Sequence, residues 1–276
     1  MQKGRIALVI GAVILALLLY FVGKTSLPKK ENAETAHEQV ISFDEYEAKV
    51  SNQLTANEKE TISNLQKQLK AISKVDTATL SALYLQLGSF WRSKNNAALA
   101  AYYQYQNATT TEAAGAWENA GDSLVMAYKT TEDSLILNNL ITFALRSYEA
   151  AVKNDSSNID LKIKLADAYV NGSHEPMKGI GILKELESSH PENVKVLLSL
   201  GRMSIQSGQY DKAKKHLSKV LSIEPQNVEA MYFLAITEAQ LGHNEEAIRL
   251  FEMCKILVNN ESFNKDIDDI IKNLKK

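Results

Sequence analysis

Asn193–Gln226 reads NVKVLLSLGRMSIQSGQYDKAKKHLSKVLSIEPQ, and the stretch that follows, Asn227–Asn260, reads NVEAMYFLAITEAQLGHNEEAIRLFEMCKILVNN. Laid over each other they agree at a constant offset of 34 residues: Leu197 with Met231, Leu200 with Leu234, Gly201 with Ala235, Gly208 with Gly242, Ala213 with Ala247, Leu217 with Phe251 and Val220 with Cys254. Pro225 follows Pro191 at the same interval. Self-similarity at such a period marks a stacked repeat. The residue types describe the unit. Apolar residues recur at helical spacing in two blocks. Gly208 and Gly242 fall where the first helix ends and the chain must reverse, a position that favours a left-handed residue. Pro191 and Pro225 stop the second helices. Small residues at Gly201/Ala235 and Ala213/Ala247 stand where two helices cross closely.

This pattern resembles the tetratricopeptide repeat. Leu200-Gly201, Gly208, Tyr210, Ala213, Leu217 and Pro225 match that family in register, and Leu234-Ala235, Gly242, Ala247 and Phe251 match again, with Asn259 in place of the closing Pro. Upstream copies are more degraded: Leu165-Ala166, Tyr169, Leu183, Leu186 and Pro191; Trp117, Ala120-Gly121, Ala144, Tyr148 and Ala151; and Tyr84, Leu87-Gly88, Trp91 and Ala100/Ala101. The resemblance implies an all-α, right-handed superhelical solenoid of helix pairs at about 77–110, 112–158, 159–192, 194–227 and 228–261. Residues 262–276 place Phe263, Ile267, Ile270, Ile271 and Leu274 on one face, the pattern of a capping helix, which solenoids need at their ends. No period-two run and no Asn-Gly or Asp-Gly turn argues for strands.

Before the repeats the chain changes character. Residues 1–5 are basic (Lys3, Arg5), and Ile6–Gly23 is an uncharged apolar run of 18 residues, IALVIGAVILALLLYFVG. At about 1.5 Å per residue it reaches across most of a bilayer's hydrocarbon core. A cleaved signal peptide is the competing reading. The run is longer than the usual apolar centre of such a signal, and no small-x-small pattern follows it. The reading is therefore a membrane anchor at 6–23 and a polar linker at 24–41, with N-terminal helices at 42–76, where Ser42 is offered as an N-cap with Glu45 three residues on. Leu54, Ile62, Leu65, Leu69 and Ile72 give the second of those helices an amphipathic face. A short basic N-terminus before a first span favours the far side of the membrane for the repeats, although Lys24, Lys29 and Lys30 nearly balance the count. The whole is similar to single-span bacterial inner-membrane proteins that hold such repeats in the periplasm, with a cytoplasm-facing receptor as the alternative.

Composition narrows the chemistry. One Cys (Cys254) permits neither an internal disulfide nor a zinc ribbon, the five His form no ligand pair, and a net charge of −2 gives no general attraction to nucleic acid. No phosphate-binding loop, nucleophile elbow or metalloprotease motif is present. Gly179-Ile-Gly181 reads as close helix packing, and Cys254 reads as a core residue. No catalytic residue, cofactor or metal is expected, and an enzyme with a site in residues 42–76 is the remote alternative. The expected function is a non-enzymatic, membrane-tethered scaffold for envelope protein assembly or chaperoning. By resemblance, partners dock on the concave face made by the first helices, at Asp122, Asp167, Arg202, Tyr232, Ile236 and Gln240. Acids at Asp122 and Asp167 depart from the Lys/Asn/Arg set with which some members capture a C-terminal carboxylate. Arg202 and Tyr232 are expected to stand clear of the core. Of Tyr102, Tyr103 and Tyr105, at least one is expected to be exposed. Residues 194–227 carry six basic and two acidic residues, and 228–261 two basic and six acidic, so adjacent units are of opposite charge.

Overall fold

Side-chain caps and left-handed turns cut the chain into short helices. The computed structural model describes residues 41–72 and 76–275, and among them lie thirteen helices and no strand. Helices α1 (Phe43–Ser51) and α2 (Ala56–Ala71) each open on a capping box, Ser42 with Glu45 and Thr55 with Glu58. Five antiparallel pairs follow: α3 (Thr77–Ser93) with α4 (Ala97–Thr111), α5 (Ala114–Thr130) with α6 (Ser134–Asn154), α7 (Ile159–Gly172) with α8 (Pro176–Ser189), α9 (Val194–Gln206) with α10 (Tyr210–Ile223), and α11 (Val228–Gln240) with α12 (Asn244–Val258). Helix α13 (Glu261–Leu274) closes the row. Asn158, Asn193, Asn227 and Asn260 recur as N-caps, each side-chain oxygen accepting the backbone N–H three residues on at 2.9–3.1 Å. The all-helical class expected from the sequence is the fold of the described residues.

The last two pairs show why the small residues are small. Gly208 and Gly242 reverse the chain at φ +69° and +81°. A Cβ on Gly201 would stand 2.8 Å from the Leu217 side chain, and Ala213, Ala235 and Ala247 are fully buried. The tightest approach to backbone lies one pair earlier, where a Cβ on Gly179 would meet the Ala166 carbonyl oxygen at 2.4 Å; Gly181, two residues on, has open space. Leu197, Leu217, Met231, Phe251 and Cys254 fill the core here, and α13 seats Ile267 and Ile271 against it while Phe263, Ile270 and Leu274 are half-buried.

The first two pairs are built differently. Phe43 of α1 stacks on Tyr102 (ring centroids 4.2 Å) and meets Phe143 edge-on at 5.4 Å, while Tyr105 packs on Phe143 (4.5 Å) and Trp117 (5.7 Å). Tyr103 is buried and Tyr102 and Tyr105 are half-buried. The expectation of an exposed tyrosine is therefore corrected: α1 lies over the second helices α4 and α6 and covers what a bare repeat would leave in solvent. Glu47 fastens it. Its carboxylate, 6% exposed, accepts Trp91 Nε1–H at 2.7 Å, Tyr103 O–H at 2.8 Å and Gln66 Nε2–H at 2.8 Å. Burial pushes that carboxyl above its usual range despite the three donors. Ile41 is held as well: its N–H donates to Leu135 O at 3.3 Å and its carbonyl accepts Asn139 Nδ2–H at 2.6 Å. Lys49 pairs with Asp133 at 2.6 Å.

No helix among the described residues is long and apolar enough to cross a membrane, and the anchor expected at 6–23 lies outside them, as does most of the 24–41 linker.

Candidate functional site

Equivalent positions on successive first helices touch, and where α7 meets α9 their charges oppose. Asp160 of α7 pairs with Lys195 of α9, Asp167 with Arg202 at 3.2 Å, and Asn171 Oδ1 accepts Gln206 Nε2–H at 3.0 Å. Each partner lies 35 residues on, because α7 has 14 residues where α9 and α11 have 13, while the turn after it keeps the regular three; the longer turn expected here is an extra residue in the helix. Ladders of this kind hold neighbouring helices in register while leaving side chains near solvent, where each pair adds only about 0–1 kcal/mol.

Two cations are shared further. Arg202 Nη1 reaches Glu229 Oε1 at 2.8 Å, and its Nη2 also donates to Ser199 Oγ at 3.2 Å. Lys164 donates to Glu118 at 2.8 Å and to Asp122 at 2.7 Å, and Asp122 also accepts the Tyr148 hydroxyl at 2.8 Å. Between these groups opens a cavity of about 510 Å³ with Val125, Ile141 and Met203 among its apolar lining and Lys164, Asp167 and Arg202 among its polar one. Burial raises the Asp167 carboxyl above its ordinary range; the Glu229 charge adds to this, while Arg202, Ser199 and Lys129 oppose it. Desolvation alone would lower the Lys164 amine, but its bonds to Asp122 and Glu118 prevail and raise it.

Of the residues singled out in the sequence, Asp167 and Arg202 line this cavity, and Asp122 joins it through Lys164. The other three sit elsewhere. Tyr232 is half-buried, with Phe233, Phe251 and Phe263 around it at centroid distances of 5.7, 5.8 and 6.3 Å. The expectation that it stands clear of the core is corrected, because α13 brings Phe263 over it. Ile236 is half-buried against the same cluster, and Gln240 is exposed. Sequence reasoning passed over Lys164, Glu118, Ser199, Glu229 and the apolar lining. The Asp160/Lys195 and Asp167/Arg202 alternation was available as a signal. Lys164 was not, because its partners lie 42 and 46 residues away across an irregular unit.

The tetratricopeptide repeat family model matches residues 204–254, from the last turn of α9 to most of α12. Those residues carry the tetratricopeptide repeat pattern. Similar solved structures are repeat proteins too. MamA is 17% identical over 66% of this chain and 93% of its own, with a TM-score of 0.46. YrrB, described as a TPR protein with an unusual peptide-binding site, is 17% identical over 68% and 91%, with a TM-score of 0.44. TTC0263, a thermophilic TPR protein of Thermus thermophilus, is 17% identical over 70% and 98%, with a TM-score of 0.49. No curated protein matches the sequence. Within the repeats, Cys254 is fully buried, its thiol pushed up to about 11 by burial, as suits a core residue rather than a nucleophile.

Proposed function

We propose that this protein is a non-enzymatic scaffold that captures a segment of a partner protein in the face lined by α5, α7, α9 and α11, while residues 6–23 tether it to a bacterial inner membrane. The observation that carries this reading is the cavity between Val125, Ile141 and Met203 with charged groups on its rim. It combines an apolar floor of side-chain size with polar groups fixed by neighbours, the combination that orients a bound segment. Repeat stacks present such surfaces along one face, where extended or helical peptides dock. On this reading the repeats lie on the periplasmic side and serve assembly or folding of envelope proteins.

Photo-crosslinking in cells tests the site. A crosslinking residue at Lys129 or Gln206 should trap a protein partner, and one at the exposed outer position Lys215 should not. Equal trapping at all three would place the docking surface outside the groove. Reporter fusions at Lys276, one active only in the cytoplasm and one only outside it, test the side of the membrane. Activity of the cytoplasmic reporter alone would replace the periplasmic reading with the cytoplasm-facing one.

A further inference from the structure

The groove holds more acid than its own ion pairs neutralise. Lys164 is shared between Glu118 and Asp122, and Arg202 between Asp167 and Glu229. Each cation thus faces two carboxylates, and each triad keeps a net negative charge. Lys129 also lines the cavity. It makes no ion pair among the described residues, and its charge reaches Asp167 only at longer range. With it counted, four acids still meet three cations.

A ligand carboxylate would have to draw Lys164 or Arg202 away from acids already bound to them. A ligand cation would complete both triads without breaking either. Beside the triads the floor of Val125, Ile141 and Met203 offers aliphatic contact, and the Tyr128 ring on the lining suits the stem and charge of a long basic side chain.

We propose that the groove selects a peptide presenting a lysine or arginine next to an aliphatic residue, the aliphatic side chain entering the floor and the cation settling among Asp122, Asp167 and Glu229. This rests on the function proposed above and specifies its ligand. Glu118 and Glu229 are 36% and 47% exposed and share Lys164 and Arg202 of the cavity lining, so the residual charge lies at solvent beside the cavity rather than in the core.

The test uses the full-length chain in a non-ionic detergent and three synthetic peptides of equal length: alternating Leu and Lys, alternating Leu and Glu, and alternating Leu and Ser. Each carries a fluorophore for anisotropy and a photo-crosslinker. The Leu/Lys peptide should bind about tenfold more tightly than the Leu/Ser peptide, and lose about tenfold in the double variant Asp122→Asn, Glu229→Gln, as expected for two partly exposed charge contacts. Lys129→Glu should act in the opposite direction and strengthen Leu/Lys binding, a gain that misfolding cannot imitate. Equal binding of the Leu/Glu peptide, or no response to either variant, overturns the selectivity. If those peptides nonetheless crosslink to α5, α7 and α9, the groove itself stands. If no peptide crosslinks there, the proposed function falls with it.

Discussion

The two halves of the repeat region reach the same architecture by different means. In α9–α12 the units are regular: glycines turn the chain, small residues let helices cross, and the large side chains Leu197, Leu217, Met231 and Phe251 fill the core. In α3–α6 the turn residues are Asn95 and Asp133 in place of glycine, aromatics stand on the second helices, and a further helix covers them through a buried carboxylate. Where Phe143 faces α1, the equivalent outer positions of the regular half are Lys212 and Glu246, both exposed or half-exposed. A regular repeat keeps its outer face polar and needs no cover. An irregular one with an aromatic outer face requires a covering element, and this chain supplies it from its own N-terminal side.

The largest expected effect is on the regular half. Phe251→Ala should cost about 3–5 kcal/mol by opening a cavity in a core without polar support. Amide exchange should then rise across α9–α13 while α1–α6 keeps its protection, since repeat stacks are stabilised mainly through nearest neighbours. Uniform loss of protection would mean that the halves are one cooperative unit.

Next comes the cover. Glu47→Ala strands the Trp91 and Tyr103 donors and should cost about 2–4 kcal/mol, read as accelerated exchange and proteolysis confined to residues 43–71. Its pH dependence has a definite sign. The folded carboxyl is raised above 4.5, so its contribution is complete below that value and is lost as pH rises through the folded pKa. The stability of wild type relative to Glu47→Gln should accordingly fall between mild acid and neutrality. A gap that widens instead would mean that the charged form is the favoured one.

Gly208→Ala should be smaller, about 1 kcal/mol, because it strains a left-handed turn but meets no neighbour within 4 Å. Its midpoint in thermal melts should sit well above that of Gly201→Leu, which drives a side chain into Leu217 and should cost about 1–3 kcal/mol or more. Smallest is Lys195→Ala, within about 1 kcal/mol, since its ion pair with Asp160 is more than half exposed on both sides. If it destabilised as much as Glu47→Ala, the ladder would be structural rather than a surface available for binding.

What the sequence made legible follows the same division. Gly208, Gly242, Ala213 and Pro225 could be read because each answers a local steric demand repeated at a fixed interval. The fates of Tyr102 and Tyr105 could not: Phe43, far upstream in a helix that no repeat pattern anticipates, stacks on Tyr102, and Phe143 and Trp117 from the next pair close over Tyr105. Tyr232 was misread for a related reason: a groove position in a standing array becomes an interior one when a capping helix lays Phe263 across it. Arg202 and Asp167 were found, but neither the pairing between them nor Glu229. Charge pairing between neighbouring helices depends on the stacking register, and that register changes wherever a unit gains a residue, as α7 does. The cavity floor escaped altogether, since Val125, Ile141 and Met203 come from three helices of two units, one irregular and one regular.

The clasp on Ile41 has a mechanical consequence. Tension arriving from residue 40 enters at a residue bonded to Leu135 and to Asn139, the latter 98 positions further along the chain. A pull from that side would therefore meet α6 first, before it reaches the Glu47 bonds that hold α1 to α3 and α4. A tether upstream, as proposed, would load the second pair before the first. A force able to peel α1 away must first break bonds at the start of α6, and the units from α7 to α13, which hold part of the groove, lie beyond the point where that force is borne.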